Sequence, residues 1–337
     1  MNETDSIFAL LRSALDGSTP DLPAMEAGQW WRLFRTMQQN HVAALTADAM
    51  ARLDLPREVR VPWLAERDKA VRWHRYQIEV QQELVEVMAR HGIETLVLKG
   101  THTAQYWPHA ELREFGDLDL YFYDRHAEAD RVAREVLKAD VSNDGHHHSK
   151  YNYRGVTVES HYDFVNIHYP PSNRRYEALL KELCPSATFE VLFLLRHMAG
   201  HFAAARITLR DLVDWALTCH AMNGKADWDL VAGKVQEFGM EPFVAAIGEL
   251  CGQRLGLHDI PQMGDGVYNL YAVAHDVVYG TTEDHKADGF GRLGWKVRRW
   301  RALGWKRKMV YKENTAVLTL ASIASHTGKP RSILHKM

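Results

Sequence analysis

Asp117-Leu118-Asp119-Leu120-Tyr121-Phe122-Tyr123 alternates apolar and polar positions, with Leu118, Leu120 and Phe122 falling on one face. That period of two predicts a half-buried β-strand. The carboxylates of Asp117 and Asp119, two residues apart, then project from the opposite face. Two carboxylates held side by side repel each other unless a cation sits between them. Hard oxygen donors with open positions suit Mg²⁺, which takes a few carboxylates and fills its shell with water and substrate phosphates. Asp-x-Asp is also common among surface acids, so its meaning depends on what surrounds it.

Upstream, residues 93–98 are short, apolar and followed by glycine, which predicts a buried strand running into Lys99-Gly100-Thr101 and a helix over 101–107. A glycine at that junction lets a phosphate approach the backbone, and a helix start supplies unpaired N–H groups. A helix over 65–90 precedes it, with Val71, Ile78, Leu84, Val85 and Met88 as the apolar stripe and His91-Gly92 as the stop. Downstream, a helix is expected over 124–138. A hairpin follows within 151–163, turning at Arg154-Gly155, with Val156–His161 as its outgoing strand. On that strand Glu159 shares a face with Thr157 and His161, opposite Val156 and Val158. A third carboxylate on a neighbouring strand can complete a metal site and deprotonate an attacking hydroxyl.

The remainder reads as helix. Residues 1–90 and the stretches 190–202 and 209–222, with further segments to about 279, carry helical apolar clusters. Pro170-Pro171-Ser172-Asn173 reads as a linker, and 281–294 as a polar connection. His146-His147-His148 is expected in a solvated loop ahead of the hairpin. The fold class is therefore α+β: a small mixed-sheet core over 85–168, an N-terminal helical region over 1–84, a helical domain over 169–280 and a basic segment over 281–337.

Composition places the chain among ordinary globular proteins, at 46% hydrophobic and 25% charged residues in 337. Three dispersed cysteines, Cys184, Cys219 and Cys251, argue for reduced thiols and against a disulfide framework. No secretory leader and no membrane span are expected, which makes a cytoplasmic location the expectation. Net charge is −2, yet nine Lys or Arg and no acid lie between Arg292 and Lys312. Interleaved with Trp295, Trp300 and Trp305, this segment has three readings. It can pack on the acidic body, contact an anionic membrane (putting the protein at the inner membrane surface), or bind RNA.

Strand–Gly-Thr–helix, Asp-x-Asp on the next strand and a lone acid on a later one resemble the polymerase-β-like nucleotidyltransferases. More narrowly, the chain resembles the bacterial family of uncharacterised nucleotidyltransferases through Lys99, Gly100, Tyr106, Pro108, Arg113, Asp117, Asp119, Glu159 and His161. The later Leu209, Arg210, Leu212, Asp214 and Trp215 also match. The wider superfamily usually carries Gly-Ser or Gly-Gly where this chain has Gly100-Thr101. The resemblance implies a nucleoside triphosphate donor and Mg²⁺, with Mn²⁺ as the other candidate ion, held by Asp117, Asp119 and Glu159. It further implies phosphate contacts from Lys99, Gly100, Thr101 and Arg113, and a supporting role for His161. The acceptor is left open.

Two rival readings go with this. One is a nucleotide-binding or adaptor protein that kept the fold without turnover. The other rests on Arg196 and His201, which fit the R-x4-H pattern of HEPN-type ribonucleases. His197 and His201 also share a helix face, but no third metal ligand accompanies them, so a core or interface role is expected.

Overall fold

The structure, a computed structural model, describes residues 2–142, 148–167, 169–281, 291–314, 316–319 and 321. Four helices open the chain: α1 (Glu3–Asp16), α2 (Ala27–Gln39), α3 (Ala43–Ala51) and α4 (Arg57–Arg90). α4 starts eight residues before the expected 65 and carries Pro62 inside it. A proline this near the N-terminus forfeits few intrahelical bonds, so it does not end the helix. The stop is as expected: Gly92 takes φ +71°, a left-handed conformation that glycine adopts without strain.

The sheet follows. β1 (Leu96–Val97) is shorter than expected, and α5 (Thr101–Ala104) is one turn in place of a helix to 107. β2 (Asp117–Tyr121) and α6 (His126–Glu135) come next, then β3 (His148–Tyr153) and β4 (Val156–His161). The order is β1-β2-β4-β3, with β2 parallel to β4 and the outer pairings antiparallel. Arg154 and Gly155 both have positive φ, as a two-residue hairpin turn requires. His148 lies within β3 and not in the loop expected for it; His146 and His147 lie outside the described residues.

One sheet face is apolar. Leu118, Leu120, Tyr151, Val156 and Val158 pack with Val80, Leu84, Val87 and Met88 of α4 and with Ala129, Val132 and Ala133 of α6. Burying such a side chain contributes roughly 1.5–3 kcal/mol. A one-residue slip would exchange these side chains for Asp117, Asp119 and Glu159, so the register is strongly fixed.

The rest is helical: α7 (Pro170–Leu183), α8 (Ala187–Ala204), α9 (Leu209–Met222), α10 (Trp228–Phe238), α11 (Glu241–Leu250), α12 (Leu270–Tyr279), α13 (Gly291–Ala302) and α14 (Gly304–Val310). The linker expected at Pro170–Asn173 is instead the first turn of α7, where prolines at the opening positions give up no intrahelical bond. The largest apolar cluster joins α1–α3 to α8, α9, α11 and α12. The boundary expected at 84–85 falls inside α4. Much of the expected connection at 281–294 lies outside the described residues. The basic segment beyond it is partly built into the body. Lys306 is buried, with its ammonium 2.5 Å from Asp276 and 2.6 Å from the Ala205 carbonyl. Among the described residues no helix is long and apolar enough to cross a membrane.

Candidate active site

The polar sheet face is set by β2 and β4 running side by side, which pairs Asp117 with Thr157, Asp119 with Glu159 and Tyr121 with His161. Tyr121 packs against Phe164, ring centroids 4.2 Å apart and planes tilted by 38°, joining the end of this face to the helical body. The face therefore lies between the sheet and α8.

Asp119 is almost fully buried. Its Oδ1 accepts from Lys99 Nζ at 3.0 Å and lies 3.0 Å from His161 Nε2. Burial opposes its ionisation, but the Lys99 ammonium and the His161 contact outweigh that and hold the carboxyl well below its ordinary range. Asp117 is the contrasting case. It has no side-chain hydrogen bond or ion pair among the described residues. Burial raises its pKa, the charges of Asp119 and Glu159 raise it further, and Lys99 opposes them. Glu159 accepts from Lys150 Nζ at 2.9 Å and faces His148 Nε2 at 3.7 Å and His161 Nε2 at 3.8 Å.

Lys99, two residues beyond β1, points inward to Asp119 and also donates to His197 Nε2 at 3.1 Å. Burial, followed by the Lys99 charge, holds His197 well below the ordinary imidazole range, which suits an accepting nitrogen. Gly100 has φ +70° and ψ −115°, and a Cβ there would stand 3.3 Å from the Phe115 ring. Thr101 donates its hydroxyl to Gln81 of α4.

Arg113 is engaged by protein groups. It is buried, with Nε and Nη2 donating to Asp214 of α9 at 2.8 and 2.7 Å and Nη1 donating to the Gly100 carbonyl at 3.2 Å. Its fork is committed to holding the glycine turn.

Asp117, Asp119, Glu159, Lys99 and His161 thus gather on one sheet face, Gly100 lies at the turn that Arg113 holds, and Thr101 is turned to α4, a helix on the apolar face. Two neighbours were not expected there. The helical spacing of His197 predicts a core or interface role, and nothing local in the sequence ties it to Lys99. His148 was legible, because a two-residue turn at Arg154-Gly155 pairs 153 with 156 and hence 148 with 161. The pair in the R-x4-H pattern has separate surroundings. The Arg196 guanidinium lies 4.9 Å from the Tyr311 ring, whereas the His201 ring lies 4.4 Å from that of His197.

A profile of the protein family described as "Uncharacterised nucleotidyltransferase" matches residues 26–256, more than half of the chain and all of this sheet. The chain belongs to that family. Its general chemistry is therefore nucleotidyl transfer. The family match starts at α2 and ends just beyond α11, so it takes in Asp214 and His197 as well as the carboxylates. No curated protein and no solved structure matches the chain.

Proposed function

We propose that the protein moves a nucleoside monophosphate from a nucleoside triphosphate to a hydroxyl acceptor, with Mg²⁺ held by Asp117, Asp119 and Glu159. The observation that carries this reading is Asp117, a partly buried carboxylate without a side-chain hydrogen bond or ion pair among the described residues and flanked by two further acids. Such a donor set consists of hard oxygens and fits Mg²⁺. When bound, Mg²⁺ would neutralise the triphosphate and stabilise the departing pyrophosphate. Lys99 and His161 keep Asp119 ionised and oriented. Gly100 presents backbone without a side chain beside the phosphates, and Arg113 fixes that turn through its carbonyl. Glu159 accepts the proton of the attacking hydroxyl.

One observation favours a second reading, nucleotide binding without turnover: Lys99 and His161 already satisfy Asp119 Oδ1. The two separate by experiment. The full chain is incubated with Mg²⁺, α-phosphate-labelled triphosphates and a cell extract, and both label transfer and pyrophosphate release are followed. Labelled product that is lost in Asp117→Asn supports transfer. Mg²⁺-dependent triphosphate binding without pyrophosphate release supports the second reading. A cytoplasmic location is part of the same proposal. So is contact of the exposed Arg298, Arg301, Lys308 and Lys312 with anionic membrane or RNA.

A further inference from the structure

The hairpin that delivers Glu159 also delivers two imidazoles to it. β3 and β4 pair in a register that sets His148 opposite His161 and Lys150 opposite Glu159. Glu159 Oε1 stands 3.7 Å from His148 Nε2, and its Oε2 stands 3.8 Å from His161 Nε2. These separations are too long for hydrogen bonds. They are close to what one shared ion needs: tetrahedral ligand atoms at about 2.1 Å from Zn²⁺ lie roughly 3.4 Å apart. One ligand atom from each of the three residues lies within 4.8 Å of the others. The group is partly shielded, with His161 buried and the other two half-buried. Backbone pairing holds all three Cα positions, so closing the set takes side-chain rotations that draw together ligand atoms now within 4.8 Å of one another.

We propose that His148, Glu159 and His161 hold a first-row divalent transition ion of the Zn²⁺ class, distinct in chemistry from Mg²⁺ at Asp117. Two imidazole nitrogens and one carboxylate match the preferences of such an ion. Mg²⁺ prefers oxygen donors and keeps its waters. Lys150, 2.9 Å from Glu159 Oε1, covers the carboxylate, but its side chain is 52% exposed and swings into solvent as the ion enters. Ligation takes the lone pair of each Nε2, so any proton there leaves to water. Asp119 Oδ1, 3.0 Å from His161 Nε2, gives up that contact when the nitrogen takes the ion; it keeps Lys99 and then borders the ion. The site shares Glu159 with the proposed transfer reaction, but ion binding does not depend on that reaction.

The test uses the full chain, stripped with chelator and titrated with Co²⁺ as a visible-absorbing probe, followed by competition with Zn²⁺ and Mg²⁺. One Co²⁺ per chain, displaced by Zn²⁺ and not by millimolar Mg²⁺, is expected. His148→Gln and His161→Gln should each weaken binding by about 100-fold or more, beyond the cost of losing a group merely hydrogen-bonded to a ligand. Asp117→Asn should leave Co²⁺ binding intact while abolishing Mg²⁺-dependent triphosphate binding, which separates failure of this site from failure of the transfer reading. A melting scan with and without Zn²⁺ guards against misfolded variants, since Zn²⁺ should raise the midpoint of the wild type and not that of His148→Gln. Stoichiometric binding that persists in both histidine variants, or that disappears in Asp117→Asn, overturns the proposal, as does absence of Co²⁺ binding by the wild type.

Discussion

Two buried lysine–aspartate pairs, one on the sheet's polar face and one in the helical body, have similar geometry and different company. Lys306 meets Asp276 at 2.5 Å beside the Ala205 carbonyl, and its ammonium lies 5.1 Å from the Phe202 ring. Lys99 meets Asp119 at 3.0 Å, with His161, His197, Asp117 and Glu159 around it. The first pair is enclosed by a backbone carbonyl, the Thr281 hydroxyl, an aromatic ring and the charges of Arg299 and Arg206. The second opens onto titratable groups, one of which, Asp117, has no side-chain hydrogen bond or ion pair among the described residues. A buried ion pair thus says little by itself. What surrounds it separates an anchor from a reaction site.

The largest expected effect falls on the sheet face. Asp117→Asn should lower nucleotidyl transfer by about 100-fold or more, in line with loss of one preorganised charge contact. Its melting temperature should stay equal or rise, because a carboxylate disfavoured by burial and repulsion is removed. Asp119→Asn should lose activity similarly but lower the melting temperature, since Lys99 is left without its counter-charge. Equal melting shifts in the two variants, read by calorimetry, would erase the asymmetry drawn here.

Next comes the anchor. Lys306→Ala should cost about 3–5 kcal/mol by stranding Asp276. Urea unfolding measures this, and transfer per folded molecule should be unchanged. Replacing both partners with apolar residues should recover most of the loss. A transfer defect in the folded Lys306 variant would blur the distinction between the two pairs.

Arg113→Lys tests a third pair, which supports the site from behind. An ammonium cannot span Asp214 and the Gly100 carbonyl as the fork does, so triphosphate KM should rise with a smaller change in kcat. A fall in kcat alone would indicate contact with the reacting phosphates instead.

The smallest effect is a slope. Burial, followed by the charge of Asp163, raises the pKa of Glu177 to about 8, although the amides of Phe164 and Val165 donate to it. A raised folded pKa means the native state holds the proton longer than the unfolded chain does. Its contribution is therefore fully present below about 4.5 and lost as pH rises towards 8. Glu177→Gln should flatten the decline in melting temperature across that window, and an unchanged slope would remove Glu177 as its source.

Much of this was legible because period and turn chemistry are local. The Asp117 strand, Val156–His161 and Leu209–Met222 follow from alternation, from Arg154-Gly155 and from a helical stripe. Tyr123 and Asp124 show the limit. Both take positive φ, which delays α6 to His126, and no residue type there announces it. The carboxylates were found because their spacing is short. Their inequality was not, because it depends on Lys99 reaching one and missing the other. Arg113 looked suited to phosphate because a guanidinium fits two oxygens. It found two oxygens of Asp214, 101 positions away, and no local pattern reports such a pairing.

That same contact has a consequence for modularity. The glycine turn belongs to the sheet, but its carbonyl is held by Arg113, and Arg113 is held by α9. Lys99 likewise leans on His197 of α8. A graft of the strands alone onto a foreign scaffold would carry over every acid and still arrive with a loose turn and an unsupported lysine. The portable unit runs from the sheet through α9.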